Sequence, residues 1–161
     1  MFSMRRHANF IKRFKSVSCL FTASVLFPMQ ISAAVSDYDA LVIEARGGNS
    51  APLLRFLEDQ GKKSALTPNQ VADWLQVSSW VENNDKTTIE IWQRYRGQMD
   101  VPARGKVAAA RAYRNQKNWN DSLAVWESVL QQEPDNVDVR TGWIMTLADA
   151  RYNQQALTEA N

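Results

Sequence analysis

The 161-residue chain holds one cysteine, Cys19, and one histidine, His7, both near its start. A disulfide framework and a clustered Cys/His metal site are therefore excluded. Glycine and proline together number only eleven, which rules out collagen-like and linker-dominated chains. No apolar run approaches the roughly 20 residues that a membrane-spanning helix needs. Acidic residues are absent before Asp37, whereas residues 1–34 carry Arg5, Arg6, Lys12, Arg13 and Lys15. Beyond residue 34, 14 basic residues face 17 acidic ones, a net charge of −3. The pI near 8.8 thus belongs to the leader. Nucleic-acid binding loses its electrostatic support.

What is present is globular: 45% hydrophobic residues, 22% charged residues and six tryptophans. The length suits one domain or a short repeat array. Residues 1–34 read as a secretory signal peptide. Met1–Lys15 is basic, Val17–Phe27 is mostly apolar, and Pro28–Ala34 ends in small residues, with cleavage expected after Ala34. The Arg-rich, acid-free composition also suits a mitochondrial transit peptide, but the compact apolar block favours secretion. Cys19 sits near the start of that block and lacks a Leu three residues earlier, so it reads as an ordinary h-region residue, not a lipidation site.

From Val35 onward the apolar pattern is helical, with helices expected near 36–46, 52–60, 68–82, 86–98, 103–116, 120–132, 137–150 and from 153. Thr67-Pro68-Asn69-Gln70 combines an N-cap, a proline at the first helical position and a capping-box glutamine. Gly47-Gly48 stops the first helix. Trp92 and Trp126 are 34 residues apart, as are Pro68 and Pro102. Leu75, Ala109 and Trp143 form a ladder at that interval, as do Ile89, Leu123 and Leu157, and the small residues Thr88, Ser122 and Ala156. A 34-residue helix–turn–helix period is the tetratricopeptide spacing. The expected fold is an all-α, tetratricopeptide-like solenoid of about four helix pairs, the last incomplete. Residues 35–161 form a degenerate array whose best unit is 103–136. Its small Ala109, Ala110 and Ser122 stand where helices cross, and Trp126 is the large knob.

A search for chemistry finds little. Without His or Cys beyond residue 34, imidazole catalysis, thiol nucleophiles and zinc ligation are excluded there. Gly47-Gly48 lacks the Lys-Ser/Thr of a phosphate loop. Asn120-Asp121-Ser122 fits a glycosylation sequon, but Asn120 reads as a helix cap. The carboxylate pairs Glu82/Asp85, Glu127/Glu133 and Asp135/Asp138 read as solvated or dipole-compensating charges. No catalytic residue, metal ligand or cofactor is expected.

Five strings are more specific than the period. They are Tyr38-Asp39-Ala40-Leu41-Val42-Ile43-Glu44-Ala45-Arg46, Asn69-Gln70-Val71-Ala72-Asp73-Trp74-Leu75-Gln76, Pro102-Ala103-Arg104-Gly105, Ala112-Tyr113-Arg114-Asn115 and Leu147-Ala148-Asp149-Ala150. In this order they resemble the amino-terminal region of the hemin-storage-type outer-membrane porins that export poly-β-1,6-N-acetyl-D-glucosamine in biofilm-forming Gram-negative bacteria. The resemblance implies a periplasmic tetratricopeptide superhelix that receives partly deacetylated polymer and engages the periplasmic polysaccharide deacetylase. It also implies a carboxy-terminal β-barrel, absent up to Asn161, through which alone the membrane would be met. On this reading the chain is the opening portion of a longer protein, and Trp143, Leu147 and Leu157 are left without a covering repeat.

In stacked tetratricopeptide units the first helix of each pair lines the concave face. By the 34-residue register that face receives Asp39, Asp73, Trp80, Arg104, Arg111, Arg114, Asp138 and Asp149. Acids and a flat aromatic suit a partly cationic aminosugar chain, while the arginines suit acidic groups on a protein partner. The plain alternative is solvated helix positions with no ligand. Two other functions compete: a generic adaptor for protein segments, and a small glycan hydrolase using two carboxylates. The leader generates a direct expectation. Amino-terminal sequencing of the exported protein gives Val35 as the first residue, whereas an intact Met1 on cytoplasmic protein would contradict the assignment.

Overall fold

A computed structural model describes residues 27–150 and 158–160, and every regular element among them is an α-helix. In chain order these are α1 (Phe27–Arg46), α2 (Ala51–Lys63), α3 (Pro68–Ser78), α4 (Asp85–Tyr95), α5 (Ala103–Asn115), α6 (Trp119–Leu130) and α7 (Val137–Asp149). Residues 158–160 are also helical. Each second helix packs on the first helix before it and on the first helix after it. First helices also pack on one another, α1 on α3, α3 on α5 and α5 on α7. The second helices α2, α4 and α6 make no close backbone approach to each other. This asymmetry curls the array, with α1, α3, α5 and α7 on its inner side. The fold is a tetratricopeptide-like solenoid.

Local sequence sets the helix ends. Gln70 N–H donates to Thr67 Oγ1 at 3.2 Å and Thr67 N–H donates to Gln70 Oε1 at 2.9 Å, closing the capping box that starts α3. Gly48 takes a φ of +104° directly after α1, a conformation that side chains oppose. Val139 N–H donates to Asn136 Oδ1 at 3.2 Å, so Asn136 caps α7.

Some boundaries differ from expectation. α1 spans Phe27–Arg46, so helix extends before the expected start near 36. Ala34 therefore lies inside α1. The basic and apolar parts of the leader through residue 26, including Cys19, lie outside the described residues. So do Ala156 and Leu157 of the two ladders and most of the helix expected from 153. α3 ends at Ser78, not at 82. Beyond it the ladder gives way to tighter turns, with Trp80 N–H donating to the Val77 carbonyl and Val81 N–H to that of Ser78, each at 3.2 Å. Asn83 then takes a left-handed φ of 59°. One register later Lys117 takes a φ of 61°. This turn places Asn118, not Asn120, in the cap position before α6, and Asn120 belongs to the first turn of the helix.

The core follows the repeat. Trp126 is fully buried and presses on α7 at Gly142, where an added Cβ would lie 2.5 Å from the indole ring. Trp126 Nε1 donates to Thr146 Oγ1 at 3.1 Å, and Thr146 in turn donates to the Gly142 carbonyl at 2.8 Å. At the small crossing positions, Ser122 Oγ donates to the Ala110 carbonyl at 2.7 Å and Thr88 Oγ1 donates to Ser78 Oγ at 2.9 Å. Each hydroxyl is thereby satisfied on the partner helix of its own pair. Trp92 occupies the register position of Trp126 and is likewise buried, but its Nε1 has no hydrogen-bond partner among the described residues. Ala112 stands 34 residues before Thr146 and offers no acceptor.

The end of the array corrects one expectation. Leu147 is buried at 2% exposure and Trp143 is partly buried against the core. Neither is fully exposed, and Leu157 lies outside the described residues. The Trp126 packing generates a stability prediction. Trp126→Ala removes a large side chain and the partner of Thr146, and costs about 3–5 kcal/mol in denaturant unfolding. A loss below about 1 kcal/mol would show that the pocket collapses around alanine.

Candidate functional site

The inner helices carry two sets of polar contacts. In the first, Tyr38 on α1 donates its hydroxyl to Asp73 Oδ2 on α3 at 2.7 Å. Arg104 on α5 donates Nε and Nη2 to Asp73 Oδ1 at 3.2 and 3.0 Å. Its Nη2 also reaches the Asn69 carbonyl and side-chain oxygen, each at 3.2 Å. One carboxylate thus ties three successive inner helices. The Asp73 side chain is only 13% exposed, so water screens this pair less than a surface one. Burial raises the Tyr38 pKa above its ordinary value of 10.0, and the hydrogen bond to Asp73 raises it further. In the second set, Arg114 Nε donates to Asp149 Oδ2 at 2.6 Å, joining α5 to α7.

A groove of about 400 Å³ opens between the end of α3, the exposed side of α5 and the start of α7. Trp80, Arg104, Arg111 and Asp138 line it together with Gln76, Glu133 and Asn136. Trp80 is 48% exposed, just past α3, and offers a flat apolar face. Arg111 and Asp138 are exposed and make no hydrogen bond or ion pair among the described residues. Glu133 Oε2 accepts from Asn136 Nδ2 at 2.8 Å.

The eight residues placed by the register therefore divide. The groove gathers Trp80, Arg104, Arg111 and Asp138. Asp73 stands behind it as the partner of Arg104. Arg114 and Asp149 pair with each other, and Asp39 is exposed on α1 and is not among the groove-lining residues. Sequence reasoning missed Gln76, Glu133 and Asn136. Gln76 was accessible to it, since it lies three residues after Asp73 and shares that helix face. Glu133 and Asn136 flank Pro134 in a connection, where helical register gives no guidance.

An aromatic face, guanidinium donors and carboxylate acceptors suit the binding of a polar chain. Among the described residues no group of three or more His, Cys, Asp or Glu side chains is placed to hold a metal ion. The described residues form a helical module.

Comparison with known proteins gives an independent result. The chain is 46% identical over 142 residues to the poly-β-1,6-N-acetyl-D-glucosamine export protein of Escherichia coli strain K12, and equally to that of Escherichia coli O157:H7. The match covers 87% of this chain and 17% of each relative, so the chain spans about a sixth of the length of the proteins it resembles. No family model matches, and no solved structure matches.

The three-helix tie generates a prediction in two parts. Asp73→Ala leaves Tyr38 and Arg104 without their acceptor and costs about 1–3 kcal/mol. Because folding raises the Tyr38 pKa, this group's contribution is complete below the ordinary tyrosine value of 10.0 and is lost as pH rises beyond it. Unfolding measured along an alkaline series should show stability falling more steeply for the wild type than for Tyr38→Phe. Parallel curves would contradict the assignment.

Proposed function

The chain is homologous to the amino-terminal helical region of these poly-β-1,6-N-acetyl-D-glucosamine export proteins, and on that premise we propose that it is a periplasmic module that guides partly deacetylated polymer along its inner groove. The full-length parent is an outer-membrane exporter, and the module engages the periplasmic polysaccharide deacetylase that delivers the chain to it. The observation that carries the reading is Trp80, a half-exposed indole on a groove that also holds unpaired Asp138. Aromatic faces stack on the apolar faces of sugar rings, and carboxylates pair with free amines. Concave surfaces of solenoids are the surfaces such arrays use for extended ligands.

A second reading, a protein-binding adaptor with no carbohydrate role, draws on a different observation. Arg111 is an unpaired guanidinium on the same groove and suits acidic groups of a polypeptide. The two readings separate in one titration. Partly deacetylated β-1,6-linked glucosamine oligomer binds the protein more tightly at low salt than at physiological salt. Trp80→Ala weakens binding by about fivefold, a typical aromatic contribution of about 1 kcal/mol, and Asp138→Asn weakens it further. Binding insensitive to salt and to both substitutions would remove these residues from the polymer site. Binding of the deacetylase with none of the oligomer would favour the adaptor.

A further inference from the structure

We propose that Met145 is an oxidation site, and that its sulfoxide hydrogen-bonds to Arg114 and tightens the joint between α5 and α7. Met145 is not among the groove-lining residues, and its chemistry needs no polymer.

Two methionines follow residue 34, Met99 and Met145. Met99 is partly buried against the core, whereas Met145 is 46% exposed on α7. Its sulfur lies 3.9 Å from Arg114 Nη1, a weak contact because a thioether is a poor acceptor. Arg114 Nε already donates to Asp149 Oδ2 at 2.6 Å, and Nη1 meets no other acceptor among the described residues. An accessible sulfur therefore stands beside a guanidinium donor that is poorly used. Exposure makes the sulfur reachable, and the donor gives its oxidised form something to hold.

A peroxide supplies the oxygen. A lone pair of Sδ attacks one peroxide oxygen, the O–O bond breaks, and the departing hydroxide takes the proton left on the transferred oxygen. Sulfur loses two electrons, the peroxide gains them, and the products are a sulfoxide and water. The new oxygen is a strong acceptor on an unbranched, half-exposed side chain, which is free to swing it toward Nη1. A weak N–H···S contact becomes a charge-assisted N–H···O hydrogen bond. Buried methionines pay for a polar sulfoxide among apolar groups, but Met145 is not in the core. Oxidation therefore fastens α7 to α5 instead of loosening the fold, and methionine sulfoxide reductase reverses it.

The test exposes the whole protein briefly to hydrogen peroxide and follows each methionine by peptide mass mapping. Denaturant unfolding and amide exchange are measured before and after. Met145 is oxidised several-fold faster than Met99. Its oxidation raises the folding equilibrium constant about fivefold, the effect of one added hydrogen bond, and slows exchange of α7 amides. Met145→Leu keeps the volume and loses the gain, which also subtracts any oxidation of Met1, Met4 and Met29. Met145→Gln presents an amide carbonyl and shows the gain without peroxide. In Arg114→Gln, Met145 is still oxidised but the gain disappears. Both Met145 variants leave Arg114 in place, so they test the joint whether or not Arg114→Gln folds. Oxidation of Met99 as fast as Met145 would overturn the site. Unchanged or lower stability on oxidation of Met145, or an equal gain in Met145→Leu or Arg114→Gln, would overturn the joint.

Discussion

Close approach between helices two apart in the chain is the constraint on which the rest of this structure depends. α5 lies so near α3 that a Cβ on Gly105 would fall 2.9 Å from the Ala72 Cα. Such contact needs small residues at the crossing, and Ala72, Gly105, Ala108 and Ala109 supply them from the two helices. Farther along, α7 accepts the Trp126 ring only because residue 142 has no side chain. A larger residue at Gly105 would push α3 and α5 apart, and one at Gly142 would push α7 off α6. Separation would take Arg104 beyond reach of Asp73 and widen the groove that α3, α5 and α7 define together.

Polar residues on the inner face consequently do two kinds of work. Asp73, Arg104, Arg114 and Asp149 join neighbouring inner helices. Arg111, Asp138 and Trp80 join nothing among the described residues and face a shared groove. The division follows from helix geometry. Asp73 and Arg104 lie where inner helices run side by side, so each finds the other before it finds solvent. Arg111 sits two turns farther along α5 and shares the groove with Gln76, Ser79 and Trp80 at the end of α3.

Much of this architecture was legible in the sequence, because the 34-residue period constrains exposure and crossing at once. Trp126, Ser122, Ala109 and Leu75 are all buried at the positions the ladders gave them. The capping box at Thr67 was readable because it depends on four adjacent residues only. Pairing on the inner face was not readable. Tyr38 with Asp73 and Asp73 with Arg104 are separated by 35 and 31 residues, so neither obeys the period. Their meeting depends on the offset between stacked helices, which local pattern does not encode. The turn at Lys117 was equally hidden, since lysine carries no signal for a left-handed backbone.

The absence of backbone approach among α2, α4 and α6 has a mechanical consequence. The outer edge of the array resembles the open side of a leaf spring, whose leaves touch only the inner helices on either side of them. Its inner edge is fastened by Tyr38, Asp73 and Arg104 at one end and by Arg114 and Asp149 at the other. Load along the axis therefore bends the coil about its inner edge, tightening its curvature more readily than straightening it. A chain lying in the groove would meet a wall that yields more readily in one direction than in the other.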